Sequence, residues 1–293
     1  MIAPPSGQIP GVYNRRIGDM TVTVVSDGYL MGGLDVLHHI SEADAQKMIV
    51  DAFGPAKGRK TSVNTFLIYA QGRLALVDTG CGTYMADTGG WLLRNLDAAG
   101  VKPTDIDTIL LTHMHPDHSA GLSDRNSWKP FFPNAELVFH ENELKHWEDD
   151  AAMARGTERE KKLFFQATRE QVAPYKQQMR MFRDGDEVFP GVVAMAAHGH
   201  TPGHSMFNVQ SGDEQLLIWG DIMHVPDIQA PMPHVTMAMD SDPDQAGATR
   251  QRVCDMAASD RLLVAGMHLH FPACSHVVRE GAGFRVIPER WQL

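Results

Sequence analysis

The sequence predicts a mixed α/β fold, which some schemes class as α+β. Short apolar, β-branched runs alternate with amphipathic stretches of helical period, and two of the runs are joined by a turn typical of a β-hairpin. The chain has 293 residues, of which 43% are hydrophobic, so it can bury a large core. We therefore predict a single domain over residues 1–293, with a Pro/Gly-rich N-terminal arm over residues 1–16.

These patterns also predict the order of the elements. Strands are predicted over residues 21–26, 64–70, 73–78, 106–111, 192–197, 216–220 and 262–266. Helices are predicted over residues 41–53, 89–99, 141–149, 155–173 and 243–258. Ser41 and Asp242 suit the N-cap positions of two helices. Gln71-Gly72 suits the hairpin turn, and Asp27-Gly28 suits a turn after the first strand.

Three histidines and an aspartate lie within six residues, directly after an apolar run that predicts a buried strand. On extended backbone, residues two apart point the same way, so His113 and His115 can bind one ion. Pro116 cannot continue a regular ladder, and the turn it makes lets Asp117 and His118 serve a second ion. Nitrogen and carboxylate ligands suit zinc, manganese, iron or cobalt better than calcium or magnesium.

Three other predicted strands also end at histidine or aspartate residues, which are types of residue that can bind metals. A histidine-rich segment, 198–204, follows the strand at 192–197, and Asp221 closes the strand at 216–220. His268 and His270 follow the strand at 262–266. Four strand ends with this chemistry predict a metal site at one edge of a β-sheet core.

Together these motifs resemble those of the metallo-β-lactamase superfamily. Its His-x-His-x-Asp-His signature is met by residues 113–118, and its Gly-His-Thr turn by Gly199-His200-Thr201. Its bridging aspartate matches Asp221, its last histidine matches His268, and its Asp-Thr-Gly loop matches Asp78-Thr79-Gly80. The spacings are most similar to those of the methyl parathion hydrolase and lactonase branch, and the resemblance extends from about residue 18 to about residue 280.

The resemblance implies an αββα sandwich that carries a dinuclear metal centre. The implied ligands are His113, His115, Asp117, His118, His200, Asp221 and His268. The two histidines at the start of the motif would hold one ion together with His200. Asp117, His118 and His268 would hold the other ion, and Asp221 would bridge both. Asp117 would also shuttle a proton, so Asp117 and Asp221 are the predicted catalytic residues, while Asp78 would orient ligands.

Several histidines compete for the last positions. The Gly-His-Thr context favours His200 over His204, which we expect to orient a neighbour. Spacing favours His268 over His270, but the two residues would face the same side of an extended chain, so His270 remains an alternative. His198, His224 and His276 are candidates for the pocket or for a supporting position. No role is assigned to His38, His39, His140, His146 and His234.

The segment 141–180 is longer than a connection requires, and the resemblance implies that it forms a helical excursion that shapes the substrate pocket. Its aromatic residues are Trp147, Phe164, Phe165 and Tyr175. The residues Met232, Met237 and Met239 follow the bridging aspartate. Each of these side chains can either line a pocket or fill the core, and the sequence leaves both readings open.

A water shared by two cations loses a proton near neutral pH and yields a hydroxide nucleophile. We therefore predict a metal-dependent hydrolase of lactones or activated esters, with an organophosphate triester hydrolase as the alternative. A glyoxalase II-like thioesterase would want a basic patch, and β-lactamases with comparable histidines usually lack the bridging aspartate. A single-iron dioxygenase would engage fewer ligands. The absence of a Gly-x-Ser-x-Gly elbow disfavours a covalent serine mechanism.

Composition limits the kinds of partner and the cellular compartment that we expect for the protein. The net charge of −10 disfavours nucleic acid and RNA processing, and no apolar run approaches the length of a membrane span. No basic, apolar leader stands at the N-terminus. Three distant cysteines argue against a disulfide framework and favour a reducing cytoplasm. We expect two divalent metal ions, zinc first among them, a small-molecule substrate, and a homodimer as one oligomeric state open to the chain.

Overall fold

Two seven-stranded sheets form the centre of the protein, as seen in a computed structural model that describes residues 7–292. The strands of the first sheet are β1 (Val12–Ile17), β2 (Met20–Gly32), β4 (Arg59–Ala70), β5 (Arg73–Val77), β6 (Thr108–Leu110), β7 (Glu136–His140) and β8 (Met179–Phe182). These strands lie side by side in chain order. The sheet is antiparallel from β1 to β5 and parallel from β5 to β8.

The second sheet is mostly antiparallel, with one parallel pair. Its strands, in chain order, are β9 (Glu187–Phe189), β10 (Val192–Ala196), β11 (Ser205–Ser211), β12 (Glu214–Ile218), β14 (Leu263–Ala265), β15 (Cys274–Glu280) and β16 (Gly283–Pro288). The parallel pair is β12 with β14, so the carboxyl ends of these two strands meet at one edge. A separate two-stranded ribbon joins β3 (Leu37–His38) to β13 (Thr236–Met237).

Helices cover the outer faces of both sheets. The helical elements are α1 (Glu42–Asp51), α2 (Leu92–Ala98), α3 (Pro116–Ser119), α4 (Glu141–Trp147), α5 (Asp150–Arg155), α6 (Glu158–Glu160), α7 (Ala167–Val172), α8 (Pro226–Gln229) and α9 (Pro243–Ser259). A π-helical stretch, Lys161–Gln166, joins α6 to α7. None of the helices in residues 7–292 combines the length and the apolar character that a membrane crossing needs.

The main core lies between the sheets. Phe66 and Val22 of the first sheet and Phe207 of the second belong to one buried cluster, and each is fully buried. A second cluster packs α2 and the helices after β7 onto the outer face of the first sheet. Val253 of α9 joins the main cluster from the far side of the second sheet. The layers therefore run helix, sheet, sheet, helix, which confirms the predicted α/β sandwich.

Most predicted elements are present, with shifted ends. Ser41 caps α1 and Asp242 caps α9, each by accepting a hydrogen bond from a backbone N–H of the first turn. The hairpin of β4 and β5 turns at Gln71-Gly72, as predicted. The predicted helix at 89–99 begins only at Leu92.

One local prediction is wrong, and two others differ from the structure in their bounds. Asp27-Gly28 is a β-bulge inside β2 rather than a turn, because the register shifts there and pairing with β4 continues to Gly32. The predicted helix at 155–173 begins after the Thr157 cap and contains the π-helical stretch. Residues 12–16 of the predicted arm belong to strand β1, while residues 1–6 of that arm lie outside the described residues.

Candidate metal centre

All seven predicted ligands meet at the carboxyl ends of the strands. The segment with His113 and His118 follows β6, and His200 follows β10. Asp221 and His268 follow the parallel pair of β12 and β14. Four overlapping groups of three side chains each place their ligand atoms within 4.8 Å of one another. The groups are His113 with His115 and His200, His113 with His118 and Asp221, Asp117 with His118 and His268, and His200 with Asp221 and His224.

Asp221 lies at the centre of this cluster. Its Oδ1 is 3.2 Å from Nε2 of His118, and its Oδ2 is 3.3 Å from Nε2 of both His200 and His268. The preceding Gly220 has a φ of +61°, and a Cβ there would lie 2.3 Å from Nε2 of His204. Glycine is therefore required at this turn, which aims the carboxylate into the site.

Three of the imidazoles that face the cluster are held from behind. Nδ1 of His118 lies 2.6 Å from Oδ2 of Asp78, and Nδ1 of His200 lies 2.7 Å from Oδ1 of Asp240. Nδ1 of His268 lies 2.7 Å from the backbone oxygen of Ser62. Such contacts fix the orientation of the ring and leave Nε2 free to bind a metal ion. The sequence indicated Asp78 for this role, but it did not indicate Asp240 or Ser62.

Asp78 itself has an unusual backbone. Its φ is +55°, in the left-handed region, which aspartate tolerates better than most residues. From this position its carboxylate accepts hydrogen bonds from the backbone N–H and the hydroxyl of Thr112, each at 2.8 Å. The Asp-Thr-Gly loop after β5 is thereby tied to the segment that carries the first histidines.

Burial and neighbouring charges lower the pKa of some histidines in the cluster and raise the pKa of another. Burial, together with the neighbouring histidines, holds the pKa of His113 and His115 well below its usual value. Burial also opposes charge on His200, but the carboxylates of Asp221 and Asp240 raise the pKa of His200 to about 9. Burial likewise opposes charge on Asp221, yet the surrounding histidines lower its pKa well below the usual range.

The donor set fits divalent metal ions. Within the described chain, Nε2 of His113, His118 and His268 and Oδ1 of Asp221 are buried without a hydrogen-bond partner. Leaving so many polar atoms unpaired inside a protein is costly, and cations between them would remove that cost. Imidazole nitrogens with carboxylate oxygens are ligands typical of zinc and related metals. The cluster has the ligands for two ions.

The competing histidines occupy different positions. His204 uses both ring nitrogens on backbone: Nδ1 lies 2.8 Å from the oxygen of Ala197, and Nε2 accepts the N–H of Asp221 at 2.9 Å. It orients a neighbour, as predicted. His268 is buried in the cluster, whereas the side chain of His270 is 61% exposed and lies 3.4 Å from Asp227.

His224 is closer to the centre than the sequence suggested. Its ring is buried, and Nε2 lies 3.0 Å from Oδ2 of Asp221, without the alignment of a hydrogen bond. Neither ring nitrogen has a hydrogen-bond partner among residues 7–292. Burial is the main reason that the pKa of His224 falls to about 4. Its position three residues after Asp221 was the available signal.

A buried glutamate joins two of the ligand-bearing loops. Glu143 of α4 accepts hydrogen bonds from the backbone N–H of Met114 and the indole N–H of Trp147, each at 2.8 Å. Its other oxygen accepts from the hydroxyl of Thr201 and from the backbone N–H of Gly203 at 2.8 Å. Nothing in the local sequence indicates this role.

A cavity of about 490 Å³ opens over the cluster. His115, Asp117, Asp221, His224 and His268 line its floor. The remaining wall includes Leu30, Met31, Arg59, Thr61, Tyr84, Met85, Leu163, Phe164 and Met239.

Some of the aromatic and methionine residues singled out in the sequence line this cavity, and the others fill the core. Phe164 and Met239 face the cavity. Phe165 and Tyr175 are buried in packing, as is Trp147. Met232 and Met237 belong to a third apolar cluster.

Comparison with known proteins identifies the family. A family model described as the metallo-beta-lactamase superfamily matches residues 58–268. The chain belongs to the metallo-beta-lactamase superfamily. The prediction that it is a metal-dependent hydrolase is confirmed.

Two solved structures are similar over nearly the whole chain. One is a hydrolase of the beta lactamase superfamily, AbOPH, with 29% identity and a TM-score of 0.91 over 98% of this chain and 100% of that chain. The other is AidC, a dizinc quorum-quenching lactonase, with 25% identity and a TM-score of 0.91 over 97% of this chain and 99% of that chain. A curated ribonuclease Z from Mycolicibacterium gilvum is 42% identical over 53 residues, which is 18% of each chain.

Proposed function

We propose that the protein hydrolyses lactones or activated esters at a centre of two divalent metal ions. The observation that carries this proposal is Asp221, whose two oxygens face histidines of both predicted ion sites at 3.2 to 3.3 Å. A carboxylate so placed can bridge two ions. The cavity above it gives a small molecule access to both.

Seven side chains supply the ligands in this proposal. His113, His115 and His200 hold one ion, and Asp117, His118 and His268 hold the other. With Asp221 shared, each ion would have four protein ligands, all of them of the imidazole and carboxylate types that zinc binds. Zinc is the proposed metal. The dizinc description of AidC supports this choice.

Bound metal ions would lower the pKa of a water molecule and polarise a carbonyl oxygen. The chain's own part is to orient these groups and to move protons. The Asp117 side chain is 19% exposed, whereas Asp221 is buried, so Asp117 is the ligand carboxylate that substrate and solvent can reach. We assign to it the uptake and return of the proton on a carboxylate oxygen.

The lactone assignment is favoured by the cavity wall and by a relative. Leu30, Met31 and Phe164 provide apolar surface for an acyl or alkyl chain beside the ligands. AidC, at 25% identity, is described as a lactonase. Three free, buried cysteines support a reducing compartment for this reaction.

Metal content and a substrate panel test the proposal. The purified protein is analysed by ICP-MS and then assayed with an acyl-homoserine lactone, an aryl lactone, a paraoxon-type triester, nitrocefin and a glutathione thioester. We expect two metals per chain and fastest turnover of a lactone. Fastest turnover of the triester would move the protein to organophosphate hydrolysis. One iron per chain without hydrolysis of any substrate would overturn the proposal.

A further inference from the structure

Arg59 is a cation without a carboxylate partner in the wall of the substrate cavity. It begins strand β4 and lines the same cavity as Asp117 and His268. No acidic oxygen of the described residues lies within 4.0 Å of its guanidinium. Burial lowers its pKa, while Asp117 and Asp35 oppose that shift from a greater distance. An arginine stays charged in proteins, so an acceptor is missing at this position.

The guanidinium is held in place, but one of its edges is unused. Nη1 donates to the hydroxyl of Thr61, which also lines the cavity. Nε is buried and has no acceptor among residues 7–292. Nε and Nη2 together form the side-on fork that binds oxygen acceptors in two-point contacts. The structure therefore shows a guanidinium that is held in place beside the cavity and whose buried Nε has no acceptor in the described part of the chain.

Gly32 provides the space for this arrangement. It is the register partner of Arg59 across β2 and β4. A Cβ at Gly32 would lie 3.1 Å from Cζ and Nη2 and 3.3 Å from Nε of Arg59. Those distances are too short for comfortable packing, so the guanidinium rests on the bare glycine backbone.

We infer that Arg59 determines specificity by binding a second oxygen acceptor of the substrate, away from the bond that is cleaved. This inference rests on the proposed hydrolysis of lactones or esters. The preferred substrates then carry an amide carbonyl or a carboxylate besides the scissile ester. Both groups present the same acceptor chemistry to the fork, and they differ in charge.

The test compares matched lactones with Arg59→Met. The first lactone carries an acylamino group on the ring, the second an alkyl chain of the same length, and the third a ring carboxylate. A hydrogen bond to a charged group corresponds to about a ten- to hundredfold effect. We expect KM for the acylamino lactone to rise by about that factor, with kcat and the alkyl lactone unchanged within about twofold. A larger rise for the carboxylate than for the amide would identify an acidic substrate.

Two further variants separate binding from folding. Arg59→Lys keeps the charge without the fork, so we expect an intermediate rise in KM for the acceptor-bearing lactones only. Lys60→Met removes the neighbouring cation, which lies over the Tyr29 ring and does not line the cavity, so KM should stay unchanged for all three lactones. Metal content and Tm are measured for each variant.

Equal losses on the alkyl and acylamino lactones, in Arg59→Met or in Arg59→Lys, would overturn the inference and leave the proposed function intact. Unchanged KM for every lactone would do the same. A wild-type protein that hydrolyses none of the three lactones would overturn the lactone assignment within the proposed function, and the specificity role of Arg59 with it.

Discussion

His268 and His270 show that two side chains only two residues apart can have entirely different surroundings. Both follow β14, and an extended chain would have pointed both in the same direction. The backbone instead turns after Gly266, so that His268 faces Asp221 while His270 faces solvent beside Asp227. The position of the proposed ligand is therefore fixed by a local turn.

We predict that His268→Ala lowers kcat/KM by at least about a hundredfold and removes about one metal per chain, because a ligand of one ion is lost. His270→Ala is the matched control and should stay within about threefold of the wild type in activity. Kinetics and ICP-MS on both variants provide the measurement. The reverse order of effects would contradict the ligand assignment.

His224→Phe tests whether the extra histidine beside Asp221 is a ligand. The seven proposed ligands already give each ion four protein contacts, so we predict that two metals per chain remain. KM should change by several-fold, because His224 lines the cavity. ICP-MS together with steady-state kinetics gives both readings, and loss of a metal would make His224 an eighth ligand.

At the scale of secondary-structure elements, Glu143 connects two loops that are distant from each other in the sequence. It belongs to α4, yet it binds the loop after β6 through Met114 and the turn after β10 through Gly203. Its carboxylate is fully buried and accepts four hydrogen bonds. The two loops carry His113, His115 and His200, so the spacing of the ligands proposed for one ion depends on this residue.

We predict that Glu143→Gln lowers both stability and metal affinity. The amide nitrogen would face donors that need an acceptor, and a buried mismatch of this kind costs about 1–3 kcal/mol. Metal affinity should fall by about ten- to a hundredfold, as for other residues that support ligands. Glu141→Gln, on the same helix but outside this network, is the control. Metal titration followed by thermal unfolding would show the effect, and unchanged affinity in a folded variant would refute it.

The elements also show where sequence reasoning reaches its limit. The ligand motif at residues 113–118 is local, so its pattern predicted both the strand end and the metal chemistry. The groups behind the histidines are remote: Ser62 lies 206 positions from His268, and Asp240 lies 40 positions from His200. No periodicity or spacing connects such pairs, because packing of the two sheets brings them together. The bulge at Gly28 resembled a turn for the same reason, since its composition is turn-like while its pairing with β4 is a long-range property.

Across the whole molecule, the metal centre lies between the two halves of the sandwich. The first sheet supplies the histidines after β6, and the second supplies His200, Asp221 and His268 after β10, β12 and β14. Protein contacts also cross there, since the side-chain amide of Asn64 in β4 donates to the backbone oxygens of Met267 and Leu269 at 2.9 and 2.8 Å. Bound ions would therefore link the sheets directly.

Removing the metals should consequently destabilise the entire fold rather than the site alone. An ion present at a hundred times its Kd contributes about 2.7 kcal/mol, so two ions contribute about 5 kcal/mol. At about 2–4 °C per kcal/mol for a chain of this size class, a chelator should lower Tm by about 10–20 °C. Added zinc should restore the original Tm. His268→Ala, which lacks a ligand of one ion, should show a smaller chelator shift. A wild-type Tm unaffected by complete metal removal would mean that the protein contacts between the sheets suffice, and that the ions serve the chemistry alone.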